Sequence, residues 1–364
     1  MKITSTFDYD KPVKKENPGS YQWWYFDGAD DSGDWHFVVI FYEGCPFSPE
    51  YNRRWEEKPA LALAEKHPGI TISIYYKGKP VYYSMSEYPE KDCAFDADKM
   101  KIRIGENTLE MKVHDGLISH HINLYEKLPG GDEVSGEMIF QGPVPNEGLF
   151  GDQENGETKK DHGWNLTIPK AKFSSNVEIN SVSDGRKKGR FSGIGYHDHN
   201  IGSEPMKNEF DDWYWGRLHF KSGTLVYYMM QVAGKMDYRA WLIKPDGSEV
   251  LDEFTGGSLQ ETGTNFFMLN CARKISLSSP SGNKVEIQNR AVLDSGPFYY
   301  RFLSDAMIVF KSTESIETCT GISEYIQPSR IHQRLFWPLV RMRYRYVNRP
   351  HWVQKNPALY RWTW

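Results

Sequence analysis

The sequence predicts an all-β protein with two antiparallel barrels in tandem, little helix and a basic, aromatic C-terminal tail. Aromatic residues make up 15% of the 364 residues, a composition that suits the pleated surface of a sheet. Short runs of β-forming residues alternate with turn signals, as is typical of barrels and sandwiches. In addition, residues 23–42 align without a gap with residues 213–232, so we expect one structural unit to occur twice.

Turn signals mark the ends of the predicted strands. Residues 69–86 form two β-type runs, residues 101–126 form three, and residues 224–250 repeat this pattern. The runs are separated by short segments typical of hairpin turns: Lys77-Gly78-Lys79, Gly105-Glu106-Asn107, Asp115-Gly116, Ala233-Gly234 and Asp246-Gly247. The best helix candidate is KPALALAEKH (58–67), which has a proline in its first turn.

The internal repeat fixes the predicted domain organisation. Trp23 aligns with Trp213, Tyr25 aligns with Trp215, and the Ser-Gly pairs at 32–33 and 222–223 coincide. Each copy is interpreted as an aromatic strand, a tight turn and a second strand. We therefore expect a break near residues 175–190, with three segments: barrels at 1–180 and 181–330, and a tail at 331–364.

Charge and terminal composition exclude several functional classes. The formal net charge of −4 argues against nucleic-acid binding by the chain as a whole. The N-terminal residues contain no apolar leader region, and no run of about 18 apolar residues predicts a membrane span. The four cysteines form no CxxC pair, so reduced thiols in a cytoplasmic protein are expected.

The segment GIGYHDHNIG (193–202) concentrates groups capable of proton chemistry. In an extended strand, His197 and His199 share one face. With a further ligand from His120 or His121 they could form a metal site, although Asp198 would point away from them. The structural alternative is a polar strand end whose histidines bond to the backbone.

The opposite face of the same strand predicts an acid–base site. Asp198 lies there between Tyr196 and Asn200. Burial in an aromatic cavity would raise the pKa of the Asp198 carboxyl and keep it protonated for general acid catalysis. Surrounding rings would stabilise a cationic intermediate by cation–π contact.

Four segments together resemble a known family. WWYFDG (23–28), HGW (162–164), GIGYHDHNIG (193–202) and WYWGRLHF (213–220) are similar in kind and order to motifs of the carotenoid 1,2-hydratase family. This family is also called hydroxyneurosporene synthase-like; it includes AttH-like proteins and is related to lipocalin-like Diels–Alderases. The resemblance implies two tandem lipocalin-like barrels, with no cofactor and no metal.

The resemblance also implies roles for individual residues. The family's His-x-Trp pair falls on His162 and Trp164, and its Tyr-x-Asp pair falls on Tyr196 and Asp198. Asp198 would donate a proton held in place by Tyr196, His162 would re-protonate Asp198 or activate water, and Trp164 would face the cation. The expected substrate-binding residues are Trp23, Trp24, Tyr25, Trp213, Trp215, Arg217 and Asn200.

The resulting functional prediction is a cofactor-independent lyase or cyclase acting on a hydrophobic isoprenoid or polyene. Asp198 would protonate a C=C bond, and water or an internal alkene would capture the cation, giving a hydro-lyase, a terpenoid cyclase or an isomerase. Two alternatives remain open at this point. A pericyclase would use the same cavity for shape and hydrogen bonding, and a lipocalin-like carrier would bind an apolar ligand without chemistry.

The C-terminal tail differs in composition from the rest of the chain. From Arg330 to Trp364 there are eight Arg or Lys residues, four Trp residues and no Asp or Glu. Basic residues interleaved with Trp are typical of peripheral membrane contact. We expect this tail to govern association with a membrane or partner rather than folding. The alternative is that it packs against the acidic body and covers a barrel edge.

Overall fold

A computed structural model describes residues 1–150 and 162–364. Strands dominate both ranges. In chain order they are β1 Lys2–Thr4, β2 Tyr21–Asp30, β3 Trp35–Glu43, β4 Gly69–Tyr76, β5 Lys79–Glu87, β6 Cys93–Asp96, β7 Lys101–Ile104, β8 Asn107–His114, β9 Leu117–Lys127, β10 Glu133–Pro143, β11 Gly163–Ser181, β12 Gly185–Gly202, β13 Asp212–His219, β14 Thr224–Val232, β15 Lys235–Asp237, β16 Ala240–Ile243, β17 Val250–Phe254, β18 Gly256–Thr264, β19 Asn270–Ser278, β20 Lys284–Ser295, β21 Tyr299–Phe310, β22 Ser315–Ile326 and β23 Arg345–Tyr346. The α-helices are α1 Pro49–Glu57, α2 Pro328–Ile331, α3 Trp337–Arg343 and α4 Pro357–Trp362.

The strands form two sheets with the same connectivity. The first sheet has the order β23-β5-β4-β3-β2-β12-β11-β10-β9-β8-β7-β6, with β1 beside β11. The second has the order β17-β16-β14-β13-β22-β21-β20-β19-β18, with β15 beside β14. In each sheet the first strand of the opening hairpin also pairs with the last strand of the meander, which curls the sheet into a barrel. The prediction of two β-barrels with little helix is confirmed.

The predicted hairpin turns are also confirmed. Lys77 and Gly78 both adopt left-handed backbone conformations, with φ of 50° and 73°, and they join β4 to β5. Asp115 and Gly116 do the same between β8 and β9, with φ of 51° and 74°. Two successive positive φ values define the tight turn that matches the natural twist of a hairpin.

The two copies of the opening hairpin differ in one respect. In the first, Trp23 pairs with Tyr42 across β2 and β3. In the second, Trp213 pairs with Met230, whereas the ungapped alignment would pair it with Val232. The second turn is therefore two residues shorter. The alignment holds for the first strand of each hairpin but is displaced by two residues in the second strand.

The chain divides into two compact units later than the sequence suggested. One unit contains Met1–Met206 together with Arg334–Trp364, and the other contains Lys207–Gln333. The expected boundary at 180/181 falls at the turn between β11 and β12, which pair along their lengths in the first sheet. Residues 182–184 therefore form the turn of a long hairpin within the first unit.

The prediction of a helix at residues 58–67 is wrong. The first helix is α1, where the Ser48 hydroxyl accepts a hydrogen bond from the Tyr51 amide and Pro49 occupies the first turn. Residues 58–67 instead contain two short 3₁₀ turns. The Ala62 carbonyl accepts a bond from the Gly19 amide, so tertiary hydrogen bonding overrides the local helix propensity.

The tail at 331–364 belongs to the first unit and packs against it. Strand β23 pairs in parallel with β5, and Arg345 forms a buried ion pair with Glu126. Arg361 pairs with Asp132 at 3.2 Å and with Asp184 at 2.6 Å. Tyr360 enters the hydrophobic core. The tail therefore packs against the acidic body, which is the alternative that the sequence left open, and its cations pair with acids of that body.

Each barrel has its own hydrophobic core, and strand alternation decides which side chains reach it. Trp24 and Phe26 of β2 belong to the first core, so Trp23 and Tyr25 face away from it. In the second unit Tyr214 and Leu218 of β13 belong to the core. Among the described residues, no helix has the length and apolar character needed to span a membrane.

Candidate active site

Strand β12 carries different chemistry on its two faces. His197 and His199 face the first core, where their rings stack on Phe26 and Trp24 at centroid distances of 3.9 and 4.3 Å. Asp198 lies between them in sequence and so faces away from this core. Its ladder partner on β2 is Tyr25. The alternation expected from an extended strand is observed.

Asp198 is the centre of a buried hydrogen-bond network. Only 2% of the residue is exposed. Its Oδ2 accepts a bond from the Tyr196 hydroxyl at 2.7 Å and another from Trp164 Nε1 at 2.9 Å. Its Oδ1 accepts a bond from Asn200 Nδ2 at 2.9 Å. Tyr196 and Trp164, which were expected to act with Asp198, therefore converge on its carboxyl group together with Asn200.

A β-bulge in β11 brings Trp164 to this group. Trp164 of β11 pairs with Asn200 of β12, and Leu166 pairs with Asp198. The next residue of β12, His197, pairs with Ile168, so Thr167 is skipped. Thr167 is the extra residue, and it reverses the alternation of the strand. Trp164 thus reaches the Asp198 side, while Ile168 points into the core.

His162 is connected to the same network through Asn200. Its Nδ1 lies 2.9 Å from the Tyr21 hydroxyl, and its ring interacts with the Asn200 side chain. Burial, assisted by the positive charge of the N-terminus, lowers the pKa of His162 to about 3. This lowered pKa favours the neutral imidazole near pH 7, and the role of His162 in re-protonating Asp198 or activating water stays a prediction.

Aromatic rings surround this group, but not all those expected. Trp23 lies 6.0 Å from the His162 ring and stacks on Tyr21 at 5.2 Å. Tyr25 makes an edge contact with Tyr196 at 6.2 Å. Trp24 does not join them, because its ring lies in the core and its Nε1 donates to the Asp10 carbonyl. The side chain of Trp24 therefore lies on the core face of β2, which does not support the predicted contact with substrate.

Three further predicted residues lie on β13 of the second unit. Trp213, Trp215 and Arg217 alternate with the core residues Tyr214 and Leu218, so they face away from the second core. All three are nevertheless buried. Each unit thus carries buried polar or aromatic side chains on the outer face of its opening strand.

Among the described residues, the group best placed to bind a metal lies on the core side of β12. The sequence suggested His197 with His199, but His199 Nδ1 bonds to the Tyr9 carbonyl at 2.6 Å. His197 instead joins His120 and Asp10, and one ligand atom from each lies within 4.8 Å of the others. Asp10 was missed because nothing in its local sequence links it to residues 110 or more positions away.

Sequence reasoning also missed Tyr21 and Asp27. Both are buried and share the outer face of β2 with Trp23 and Tyr25. Asp27 lies opposite Tyr196 in the ladder, so it places a second carboxyl group on this face. The two-residue spacing from Trp23 and Tyr25 was the signal that could have identified both residues.

The glycines that flank the cluster provide space for close contacts. A side chain at Gly202 would overlap the ring of Tyr21, and one at Gly193 would overlap the Ala29 carbonyl. Gly202 therefore lets Tyr21 lie across β12 and reach His162. The glycines of the GIGYHDHNIG segment are explained by packing against β2 rather than by a turn.

Comparison with known proteins decides the family. The model of the carotenoid hydratase CrtC family matches residues 39–354. The chain belongs to this carotenoid hydratase family. Membership agrees with the resemblance deduced from the motifs and indicates an enzyme of the hydro-lyase class.

Individual proteins are similar to this chain in sequence or in fold. The chain is 28% identical over 347 residues to the hydroxyneurosporene dehydrogenase of Chlorobaculum tepidum, covering 92% of this chain and 90% of that protein. It is 28% identical over 213 residues to the acyclic carotenoid 1,2-hydratase of Thiocapsa roseopersicina, covering 58% and 47%. The fold is similar to that of an AttH-type protein from Nitrosomonas europaea, with a TM-score of 0.55, 13% identity and coverage of 85% and 92%.

Proposed function

We propose that this protein adds water across a terminal C=C bond of an isoprenoid polyene, with Asp198 as the proton donor. The observation that carries the proposal is the buried Asp198 carboxyl with three donors directed at its two oxygens. The names of the family and of its hydratase relatives support a carotenoid-like substrate. No step of the proposed reaction requires a cofactor.

The environment of Asp198 suits the protonation of a weak base such as an alkene. Burial favours the neutral carboxyl before reaction, whereas hydrogen bonds from Tyr196, Trp164 and Asn200 stabilise the carboxylate that forms as the proton leaves.

The proposed reaction returns the catalyst to its starting state. The carboxyl proton of Asp198 is transferred to the less substituted carbon of the terminal C=C bond, whose π electrons form the new C–H bond and leave a tertiary cation on the other carbon. The indole of Trp164 and the rings of Trp23 and Tyr25 stabilise this charge. Water then bonds to the cation, and its surplus proton returns to the Asp198 carboxylate. The net change is the addition of one water molecule.

The proposed role of His162 follows from its neutral state. Its Nδ1 accepts a hydrogen bond from Tyr21 if its Nε2 carries the proton. A ring held in this tautomer orients the attacking water or Asn200 without taking up a proton. The contact of Trp213, Trp215 and Arg217 with substrate stays a prediction from the internal repeat.

The direct test uses isotopically labelled water. The purified protein is incubated with an acyclic carotenoid in ²H₂¹⁸O, so that both oxygen and hydrogen from solvent are labelled, and the products are analysed by mass spectrometry. We expect a tertiary alcohol that contains one ¹⁸O atom and one hydrogen from solvent on the adjacent carbon. Isomerised or cyclised products without ¹⁸O would overturn hydration, and unchanged substrate with every polyene tested would favour a carrier.

Replacing Tyr196 with Phe tests the proposed stabilisation of the Asp198 carboxylate. The variant keeps the ring but removes one of the two donors to Oδ2. We expect kcat to fall about 10- to 100-fold, because a hydrogen bond to a charged group is worth about 1.5–3 kcal/mol. KM should stay nearly unchanged. Tyr82→Phe is the matched control, since it removes a buried hydroxyl that donates to the Glu126 carbonyl. Equal rates for the two variants would contradict the role of Tyr196.

We also propose that the tail contacts an anionic membrane from which the polyene is drawn. Although the tail packs against the first unit, Leu335, Trp352 and Trp362 remain 80%, 64% and 78% exposed. Arg341 and Lys355 are exposed beside them in sequence. Exposed Trp and Leu with cations match the composition of interfacial membrane anchors.

Replacing Trp352 and Trp362 together by Ser tests this contact. We expect binding to phosphatidylglycerol vesicles to fall at least about 10-fold, since each indole loses apolar burial in the interface. The melting temperature should not change, because both side chains are exposed. Phe266→Ser is the control, as Phe266 is 90% exposed outside the tail. Vesicle binding that is unaffected by the double substitution, or is lowered equally by Phe266→Ser, would refute the contact.

A further inference from the structure

The first barrel contains a cavity that is separate from the proposed active site. Its volume is about 300 Å³, which is at the lower end of the range for ligand sites. The apolar part of its wall comes from β3, β11 and β12 and consists of Trp35, Phe37, Val177, Ile179 and Phe191. These side chains belong to the first core or pack against it, whereas Asp198 faces away from that core. The cavity and Asp198 therefore lie on opposite faces of the sheet.

A glycine on β12 shapes this cavity. A Cβ atom at Gly189 would overlap the ring of Phe191. Because no side chain stands there, the Phe191 ring lies back over Gly189 and contacts Trp35 and Phe37 at centroid distances of 5.0 and 5.1 Å. Gly189 is the ladder partner of Val177 on β11. The absent side chain thus leaves space on the core side of these two strands.

The charged residues that line the cavity are all cations. Arg186 and Lys188 are exposed and pair with Glu178 at 2.7 and 3.6 Å. Lys187 alternates with them along β12, so it lies on the core side, where its ladder partner is Ile179. Its side chain is only partly exposed. An ammonium group at the edge of an apolar wall is a position that favours an anionic partner.

Lys187 has no such partner within the part of the chain that the structure describes. No acidic residue lines the cavity, and no ion pair of Lys187 occurs among the described residues. The charge of Lys187 acts on Asp184, but that carboxylate already pairs with Arg361 at 2.6 Å. The ammonium of Lys187 is therefore available to a ligand.

We propose that this cavity binds an aliphatic chain that ends in a singly charged anionic group, and that Lys187 pairs with that group. The chain would be buried against the aromatic wall, and the charge would lie where the wall reaches solvent. Because Arg186 and Lys188 already share Glu178, one cation is left for the ligand. This charge complementarity favours a carboxylate or a phosphodiester over a diphosphate.

Isothermal titration calorimetry of the full chain with decanoate tests the proposed ion pair. We expect Lys187→Gln to weaken decanoate binding about 3- to 10-fold, because the variant loses the charge but keeps a long side chain. Decanol, which has no charge, should bind equally to the two proteins. Lys172→Gln is the matched control, since Lys172 is exposed on β11 and does not line the cavity. Equal effects of the two substitutions on decanoate binding would overturn the proposal.

A second substitution tests the apolar wall. Ile179→Phe enlarges the ladder partner of Lys187 and should fill part of the cavity. We expect decanoate and decanol both to bind at least about 10-fold more weakly to this variant, and melting curves check that it folds. Unchanged binding of both compounds to a folded Ile179→Phe protein would place them elsewhere and overturn the proposal.

The source of the ligand is distinguished by a separate titration with dihexanoyl phosphatidylglycerol. Tighter binding of decanoate supports a free fatty acid, and tighter binding of the phospholipid supports a lipid taken from a membrane. Failure of both to bind the parent protein would overturn the proposal. Because no measurement involves turnover, these results are independent of the proposed hydration.

Discussion

Asp198→Asn is expected to reduce hydration of the true substrate by about 1,000-fold or more, because the amide has no proton to transfer to the alkene. Substrate affinity should change little, since the missing interaction belongs to the transition state. The variant should fold. The amide oxygen can accept from Tyr196 and Trp164, and the Asn200 amide can rotate to accept from the new NH₂ group. Turnover measured with an acyclic carotenoid, together with ligand binding, checks both expectations.

The same variant separates the competing functions. A pericyclase that uses shape and hydrogen bonding would retain much of its rate in Asp198→Asn, and a carrier would bind ligand equally in both proteins. Tyr82→Phe again controls for damage to the first barrel. An Asp198→Asn protein with undiminished hydration would rule out Asp198 as the acid and direct attention to Asp27, a buried carboxyl on the outer face of the neighbouring strand β2.

Removal of residues 344–364 is expected to unfold the first unit at room temperature. Truncation leaves Glu126 buried without Arg345, which costs about 3–5 kcal/mol. It also removes Tyr360 from the hydrophobic core, at a further cost of about 3 kcal/mol or more. Together these losses approach the total stability of a typical domain, about 5–15 kcal/mol. Circular dichroism melting curves of the truncated and full chains measure the effect.

A double-mutant cycle isolates the buried ion pair within the tail. Arg345→Met alone should lower the free energy of unfolding by about 3–5 kcal/mol, because Glu126 then remains charged and unpaired. Adding Glu126→Gln should recover most of this loss, since the amide oxygen can still accept from Tyr88 while the NH₂ group donates to the Ser86 hydroxyl oxygen. For the truncation of residues 344–364, a melting curve equal to that of the full chain would show that the tail does not stabilise the first unit. Additive effects in the cycle would show that the pair does not couple.

The parts of the fold set by local chemistry were predictable from the sequence. Turns such as Lys77-Gly78 require left-handed backbone at adjacent residues, and the residue types reveal this directly. The alternation of Tyr196 and Asp198 against His197 is similarly local, because it requires only an extended strand. The internal repeat likewise identified two equivalent opening strands, because it compares two local sequence patterns.

The features that depend on distant contacts were not predictable. The helix expected at 58–67 failed because the Ala62 carbonyl bonds to the Gly19 amide, a partner more than 40 positions away. The tail was interpreted by its charge alone, since the acids that it meets, such as Glu126 and Asp132, lie far away in sequence. Asp10 escaped notice for the same reason.

The bulge at Thr167 means that the site depends on residue number as well as residue identity. Trp164 reaches Asp198 only because one additional residue separates it from the core-facing Ile168. A chain lacking that residue would keep every catalytic group and yet direct the indole into the hydrophobic interior. Relatives with identical motifs but a different count between them would therefore differ in chemistry. For proteins of this kind, the number of residues between the HGW motif and the core-facing part of the same strand carries information about the site that residue identity does not.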